Sequence, residues 1–95
     1  MDTKEIMLKL KRIKPQLYSE FGVKSICLFG SFADGTYTDA SDIDLLVEFE
    51  HPVGWQFFKL ENYLEKTFNR KIDLVTANAI KEHIKPYILN NIKYI

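Results

Sequence analysis

The segment "DIDLLVEF", Asp42 to Phe49, reads as the most apolar strand of the chain, yet it opens with two carboxylates one residue apart. In an extended chain residues i and i+2 point to the same face. Asp42 and Asp44 therefore stand side by side, while Ile43, Leu45 and Val47 face a core. Two carboxylates at close range repel, and one stays protonated unless a cation neutralises the pair. Hard divalent cations such as Mg²⁺ take oxygen ligands, keep several waters and bind through one or two carboxylates together with substrate phosphates. Asp73 interrupts "KIDLV" in the same manner. If the two strands are neighbours, a third carboxylate joins the pair, and three such groups can hold two metal ions.

A Gly-Ser pair shortly upstream supplies the other half. "SICLF", Ser25 to Phe29, reads as a strand stopped by Gly30. A glycine there lets the backbone turn sharply and approach a ligand closely. Amides of a following helical turn would face a phosphate, and the Ser31 hydroxyl adds a donor. Gly35 permits a second tight turn before the carboxylates return. A phosphate cradle followed by a metal platform is the arrangement of phosphoryl or nucleotidyl transfer.

The remaining pattern predicts where these pieces sit. Ile6, Leu10, Ile13 and Leu17 follow helical spacing, Asp2 and Glu5 are placed as a capping box, Pro15 should kink or split the helix, and Gly22 should end it. Residues 30–41 read as turn and loop with one helical turn at most. "HPVG" breaks the chain, and a helix follows from Trp55 to Phe68 with Phe57, Leu60, Leu64 and Phe68 on its core face. A third strand spans Lys71–Val75. Asn78 is placed to cap a last helical region that is interrupted or restarted near Pro86. The expectation is an α/β (α+β) fold with a three-stranded sheet and flanking helices, and one domain over residues 1–95.

Composition excludes several classes. Formal net charge is zero, so a broad electrostatic grip on nucleic acid is not indicated. The distribution is uneven: residues 25–58 hold six acids (Asp34, Asp39, Asp42, Asp44, Glu48, Glu50) and no Lys or Arg. No apolar run approaches the roughly 20 residues of a membrane span, and the amphipathic start lacks a signal-peptide block. The single cysteine, Cys27, reads as a small buried core residue in a reducing cytoplasm, and with two scattered histidines it argues against zinc. His51 and His83 read as exposed. Trp55, Phe57 and Phe58 read first as core, with a surplus of apolar surface on that helix that suits a partner. The Lys-rich "KLKRIK" reads as a solvated face.

The pattern G-S-x-x-x-G followed by S-D-x-D-L-x-V resembles the signature of the DNA polymerase β-type nucleotidyltransferase superfamily. It stands here as Gly30-Ser31-Phe32-Ala33-Asp34-Gly35 and Ser41-Asp42-Ile43-Asp44-Leu45-Leu46-Val47. The small size and "NRKIDLVT" resemble the minimal nucleotidyltransferases, the MntA-like antitoxin halves of HEPN/MNT toxin–antitoxin pairs. By that resemblance Gly30 and Ser31 would hold the triphosphate of ATP, with Ser41 counted among the nucleotide-binding positions. Asp42, Asp44 and Asp73 would be the catalytic, Mg²⁺-binding acids. The partner would be a HEPN ribonuclease toxin, silenced by transfer of AMP to one of its hydroxyls, with tyrosine the expected acceptor. The family often carries Arg or Lys where this chain has Asp34, so an acid there is expected to weaken triphosphate binding. Two rivals stand beside this reading: an antitoxin that neutralises its toxin by contact alone, and a transferase onto a small molecule or RNA end. A chain of this size leaves nothing for an acceptor-binding domain. The acceptor is thus expected on a partner docked beside the open face of the sheet, with Trp55 or Phe58 in the docking patch.

Overall fold

The computed structural model describes residues 1–77 and 91–95. Helix α1 (Thr3–Phe21) starts where Asp2 accepts a hydrogen bond from the Glu5 amide (2.8 Å). It stops at Gly22, whose left-handed backbone (φ 70°) turns its N–H back to the Leu17 and Tyr18 carbonyls. Pro15 lies inside it without splitting it. The proline is exposed, so its ring and the Lys11 carbonyl it leaves without a helical donor both face water, while Leu10 and Leu17 stay buried on the other side.

Strand β1 (Val23–Phe29) leads into the single turn α2 (Ser31–Asp34). A loop then delivers β2 (Ile43–Phe49), followed by α3 (Trp55–Phe68) and β3 (Ile72–Thr76). Among the described residues the sheet has four strands, not the expected three, in the order β3-β2-β1-β4. The addition is β4 (Lys93–Tyr94), which lies antiparallel on the far edge of β1. Two residues are too few for a period-two pattern to register, so nothing in "NIKYI" announced it. β2 pairs antiparallel with β1 and parallel with β3, which makes the sheet mixed. The helical region expected from Asn78 through Pro86, with His83, lies outside the described residues.

Alternation along the strands separates two faces. Ile26, Leu28, Ile43, Leu45, Val47, Ile72 and Leu74 are buried together with Ile6, Leu10 and Leu17 of α1 and Leu60, Leu64 and Phe68 of α3. Both long helices therefore cover one face. Burying side chains of this size contributes about 1.5–3 kcal/mol each, so this face holds the domain together. The other face of β2 and β3 carries Asp44, Leu46, Asp73 and Val75. Phe57 is half-buried on α3, but Trp55 (81% exposed) and Phe58 (58%) are not core residues. They begin a helix whose buried stripe is already filled by Leu60, Leu64 and Phe68. Cys27 is buried as expected, and burial pushes its thiol pKa up, which leaves it unreactive.

Candidate active site

The register of the sheet assembles what the sequence suggested. Asp44 is the cross-strand partner of Phe29, the last residue of β1, and of Asp73 on β3. Asp44 and Asp73 are therefore neighbours on one face, and their carboxyl groups lie within hydrogen-bonding reach. Asp42 sits one residue before β2 rather than inside it, half-exposed, with the Lys71 ammonium 4.0 Å away at the solvent edge. An exposed pair at that distance contributes little, so Lys71 does not neutralise the cluster.

Electrostatics record the crowding. Partial burial first, then the charges of Asp73 and Asp42, and a hydrogen bond with Asp73, raise the Asp44 pKa to about 6. A raised acid pKa means that the folded protein holds a proton which the unfolded chain has lost. Stability is thus greatest below the unfolded value of 3.8 and falls as pH climbs through about 6. After discounting for solvent screening at a half-exposed group, the loss is about 1–2 kcal/mol. Asp44→Asn should therefore melt several degrees above the wild type at pH 8 and level with it near pH 4, at about 4–8 °C per kcal/mol. Paired thermal melts across that range, in chelator, check this; a gap independent of pH would mean that the carboxylates do not interact.

The Gly30 turn lies directly against this cluster. Its backbone (φ 72°, ψ −152°) is open essentially to glycine alone. A Cβ placed there would overlap the Asp44 carboxylate, with the carboxyl carbon at 2.8 Å. Gly30 then opens α2: its carbonyl accepts from the Ala33 (3.0 Å) and Asp34 (3.1 Å) amides. Ser31 follows, half-buried. The Gly-Ser pair and two of the three aspartates therefore meet at one end of the sheet.

Ser41 has a structural task within its own loop. Its hydroxyl accepts from the Thr38 amide (2.8 Å) and its own amide donates to the Thr38 carbonyl (3.1 Å), winding the loop that delivers Asp42. Asp34 also has a local role. Its carboxylate accepts from the Thr36 hydroxyl (2.6 Å) and amide (2.9 Å), which hold its pKa below the ordinary carboxylate value. The acid in place of a basic residue thus closes the α2 turn. Sequence reasoning missed Arg70, whose Nη1 donates to the carbonyls of Asp39 (2.9 Å) and Ser41 (2.8 Å).

Among the described residues, no group of three or more His, Cys, Asp and Glu side chains is arranged to enclose a metal ion by itself. The donor set still suits Mg²⁺: hard carboxylate oxygens on an open platform, mutually repelling, to be completed by water and phosphate oxygens. Two concave surfaces among the described residues lie elsewhere. A depression of about 420 Å³ near Glu48, His51 and Thr76 sits at the opposite end of β2, as does the groove that includes Trp55 and Phe58. A seven-residue strand separates the two ends, on the order of 20 Å. The aromatic patch is therefore not beside the carboxylates, and a partner that covers both spans the length of the sheet.

Comparison with known proteins bears on the family and the fold. The nucleotidyltransferase domain family matches residues 10–95. A chain from Methanocaldococcus jannaschii, named as a candidate protein adenylyltransferase, is 48% identical over 77 residues, covering 80% of this chain and 90% of that one. The protein adenylyltransferase MntA of Thermococcus cleftensis is 37% identical over 92 residues, covering 96% and 93%. Among solved structures, a candidate minimal nucleotidyltransferase superposes with a TM-score of 0.78 at 25% identity, over 100% of this chain and 95% of that one. A toxin–antitoxin complex with AMP-PNP shares the fold at 21% identity, with a TM-score of 0.64 over 99% of this chain and 72% of that one. With its Gly-Ser turn and paired strand-borne aspartates, the chain belongs to the nucleotidyltransferase domain family, among the minimal, MntA-like members.

Proposed function

We propose that this chain is the antitoxin of a HEPN/MNT-type toxin–antitoxin pair and transfers AMP from ATP to a hydroxyl of its toxin. The observation that carries the reading is the contact of Gly30 with Asp44, beside Asp73 on the next strand. It brings a turn without room for a side chain against clustered carboxylates. The curated relatives named as protein adenylyltransferases support the reaction class, and the AMP-PNP-bound toxin–antitoxin neighbour supports ATP and a toxin partner.

In this reading Gly30 and Ser31 hold the triphosphate, with Ser41 shaping the loop beside it, and Asp42, Asp44 and Asp73 hold Mg²⁺. When bound, the metal offsets phosphate charge and steadies the departing pyrophosphate. The acceptor oxygen bonds to the α-phosphorus, the bond from that phosphorus to the bridging oxygen breaks, and pyrophosphate leaves. Asp73, exposed beside Asp44, is placed to take the hydroxyl proton. Tyrosine suits the acceptor, since its phenol reaches farther than Ser or Thr and ionises more readily. We place residues 1–95 in one catalytic domain and the acceptor on the partner. We also assign the protein to the cytoplasm, consistent with one unpaired cysteine. Among the described residues no helix is long and apolar enough to cross a membrane.

The rival is neutralisation by contact alone. Asp34 speaks less for it, because its carboxylate has a turn to close whatever its effect on phosphate. Incubated with ATP, Mg²⁺ and a HEPN protein encoded beside it, this chain should add adenylate mass to that protein. The modified toxin should stay inactive after the antitoxin is stripped away. Full recovery of activity on separation, with no added mass, would leave the contact-only reading.

A further inference from the structure

Three segments supply the candidate site: the Gly30-Ser31 turn, the loop ending at Asp42, and the start of β3 with Asp73. One side chain touches or belongs to all three. Arg70 lies three residues before Asp73, between the Asn69 cap of α3 and β3. Its Nη1 donates to the carbonyls of Asp39 (2.9 Å) and Ser41 (2.8 Å), and the second of these belongs to the peptide that leads into Asp42. Its guanidinium carbon stands 5.4 Å from the centroid of the Phe32 ring. Phe32 follows Ser31, is buried, and stacks on Tyr37 (4.5 Å between centroids, 15° between planes).

We propose that Arg70 is the positioning residue that holds the Gly-Ser turn, the Asp42 loop and the Asp73 strand in one geometry for nucleotidyl transfer. The proposal rests on the reading of Asp42, Asp44 and Asp73 as the reacting centre. The chemistry favours arginine over other cations. One guanidinium nitrogen donates to both carbonyls while the guanidinium carbon stands over the Phe32 ring, a combination that suits a weakly hydrated planar cation better than a compact, strongly hydrated ammonium. The loop needs such a clamp. Its internal bonds tie Thr38 to Ser41 and Ala40 (Ser41 amide to Thr38 carbonyl, Thr38 amide to Ser41 hydroxyl, Ala40 amide to Thr38 hydroxyl), which winds a turn without attaching it to the sheet. Among the described residues, attachment comes from Arg70, from the Tyr37 ring stacked on Phe32, and from the Ile43 amide, which donates to the Lys71 carbonyl (3.0 Å).

Partners that orient the groups holding a metal typically matter by about 10–100-fold in activity or metal affinity when removed. Arg70→Met should lower kcat for transfer within that range, with KM for ATP changed less than threefold, and Arg70→Lys should recover only part of the loss. Added guanidinium ion should rescue an Arg70→Ala variant better than ethylammonium does. Independently of activity, hydrogen exchange should quicken at the Thr38 and Ser41 amides of Arg70→Met while α1 keeps its protection. Unchanged exchange at those two amides would overturn the proposal whatever the kinetics. So would a raised KM at constant kcat, which marks a direct phosphate ligand, or a loss that tracks melting temperature without rescue. In the same assay, undiminished transfer by Asp42→Asn/Asp44→Asn would reject the reacting centre while the exchange result still judged the clamp.

Discussion

Replacing Asp42 and Asp44 together with asparagine should abolish nucleotidyl transfer while leaving a folded protein that is more stable than the wild type in chelator. Both halves follow from one fact. Partial burial, and then the charges of Asp73 and Asp42, raise the Asp44 pKa to about 6, so the ionised cluster costs stability whenever no cation offsets it. Asparagine keeps the shape and removes the charge. Groups that hold a catalytic cation contribute several kcal/mol of transition-state stabilisation, and about 4 kcal/mol corresponds to a thousandfold in rate. The measurement pairs a transfer assay with thermal melts at pH 8, with and without Mg²⁺. Mg²⁺ should raise the melting temperature of the wild type and leave the double variant unmoved. Retained transfer, or an equal response to Mg²⁺ in both proteins, would place the metal platform elsewhere.

Much of this site was legible in the sequence because its signals are local. The alternation in "DIDLLVEF" assigned Ile43, Leu45 and Val47 to the core and left Asp44 on the other face, as found. The limits of α3, Trp55–Phe68, followed from the break before it and the 3.6-residue stripe of Leu60, Leu64 and Phe68. What escaped depends on tertiary placement. Arg70 makes its contacts with residues about 30 positions away in sequence, and nothing in "FNRKID" says that a guanidinium would meet the Ser41 carbonyl. The β4 edge is too short to carry a pattern. Pro15 looked like a breaker, although the stripe of Ile6, Leu10, Ile13 and Leu17 already put it on the opposite, water-facing side of α1. Asp34 is different: a Thr two residues after an Asp is a local turn signal, and it was there to be used. Comparison with family members drew attention instead to the missing positive charge.

Gly30→Ala should be the most damaging conservative change in the chain. Two costs add at that position. The backbone at φ 72° and ψ −152° lies in a region essentially restricted to glycine, which costs a residue with a Cβ about 1–3 kcal/mol. The new methyl also runs into the Asp44 carboxylate, with its carbon at 2.8 Å and its Cβ at 3.1 Å, and overpacking of this kind costs typically ~1–3 kcal/mol more. Neither neighbour can yield easily, since Asp44 is held in the central strand between Phe29 and Asp73. The expected result is a melting temperature lower by about 10 °C or more. Transfer activity should fall by at least about a hundredfold, because the phosphate turn and a carboxylate are displaced together. A double-mutant cycle separates the two costs. Adding Asp44→Ala removes the carboxyl group but not the backbone strain, so it should recover part of the stability lost in Gly30→Ala, beyond its effect in the wild type. Additive effects would mean that the turn and the carboxylate do not touch, and the contact on which the proposed site depends would fall with them.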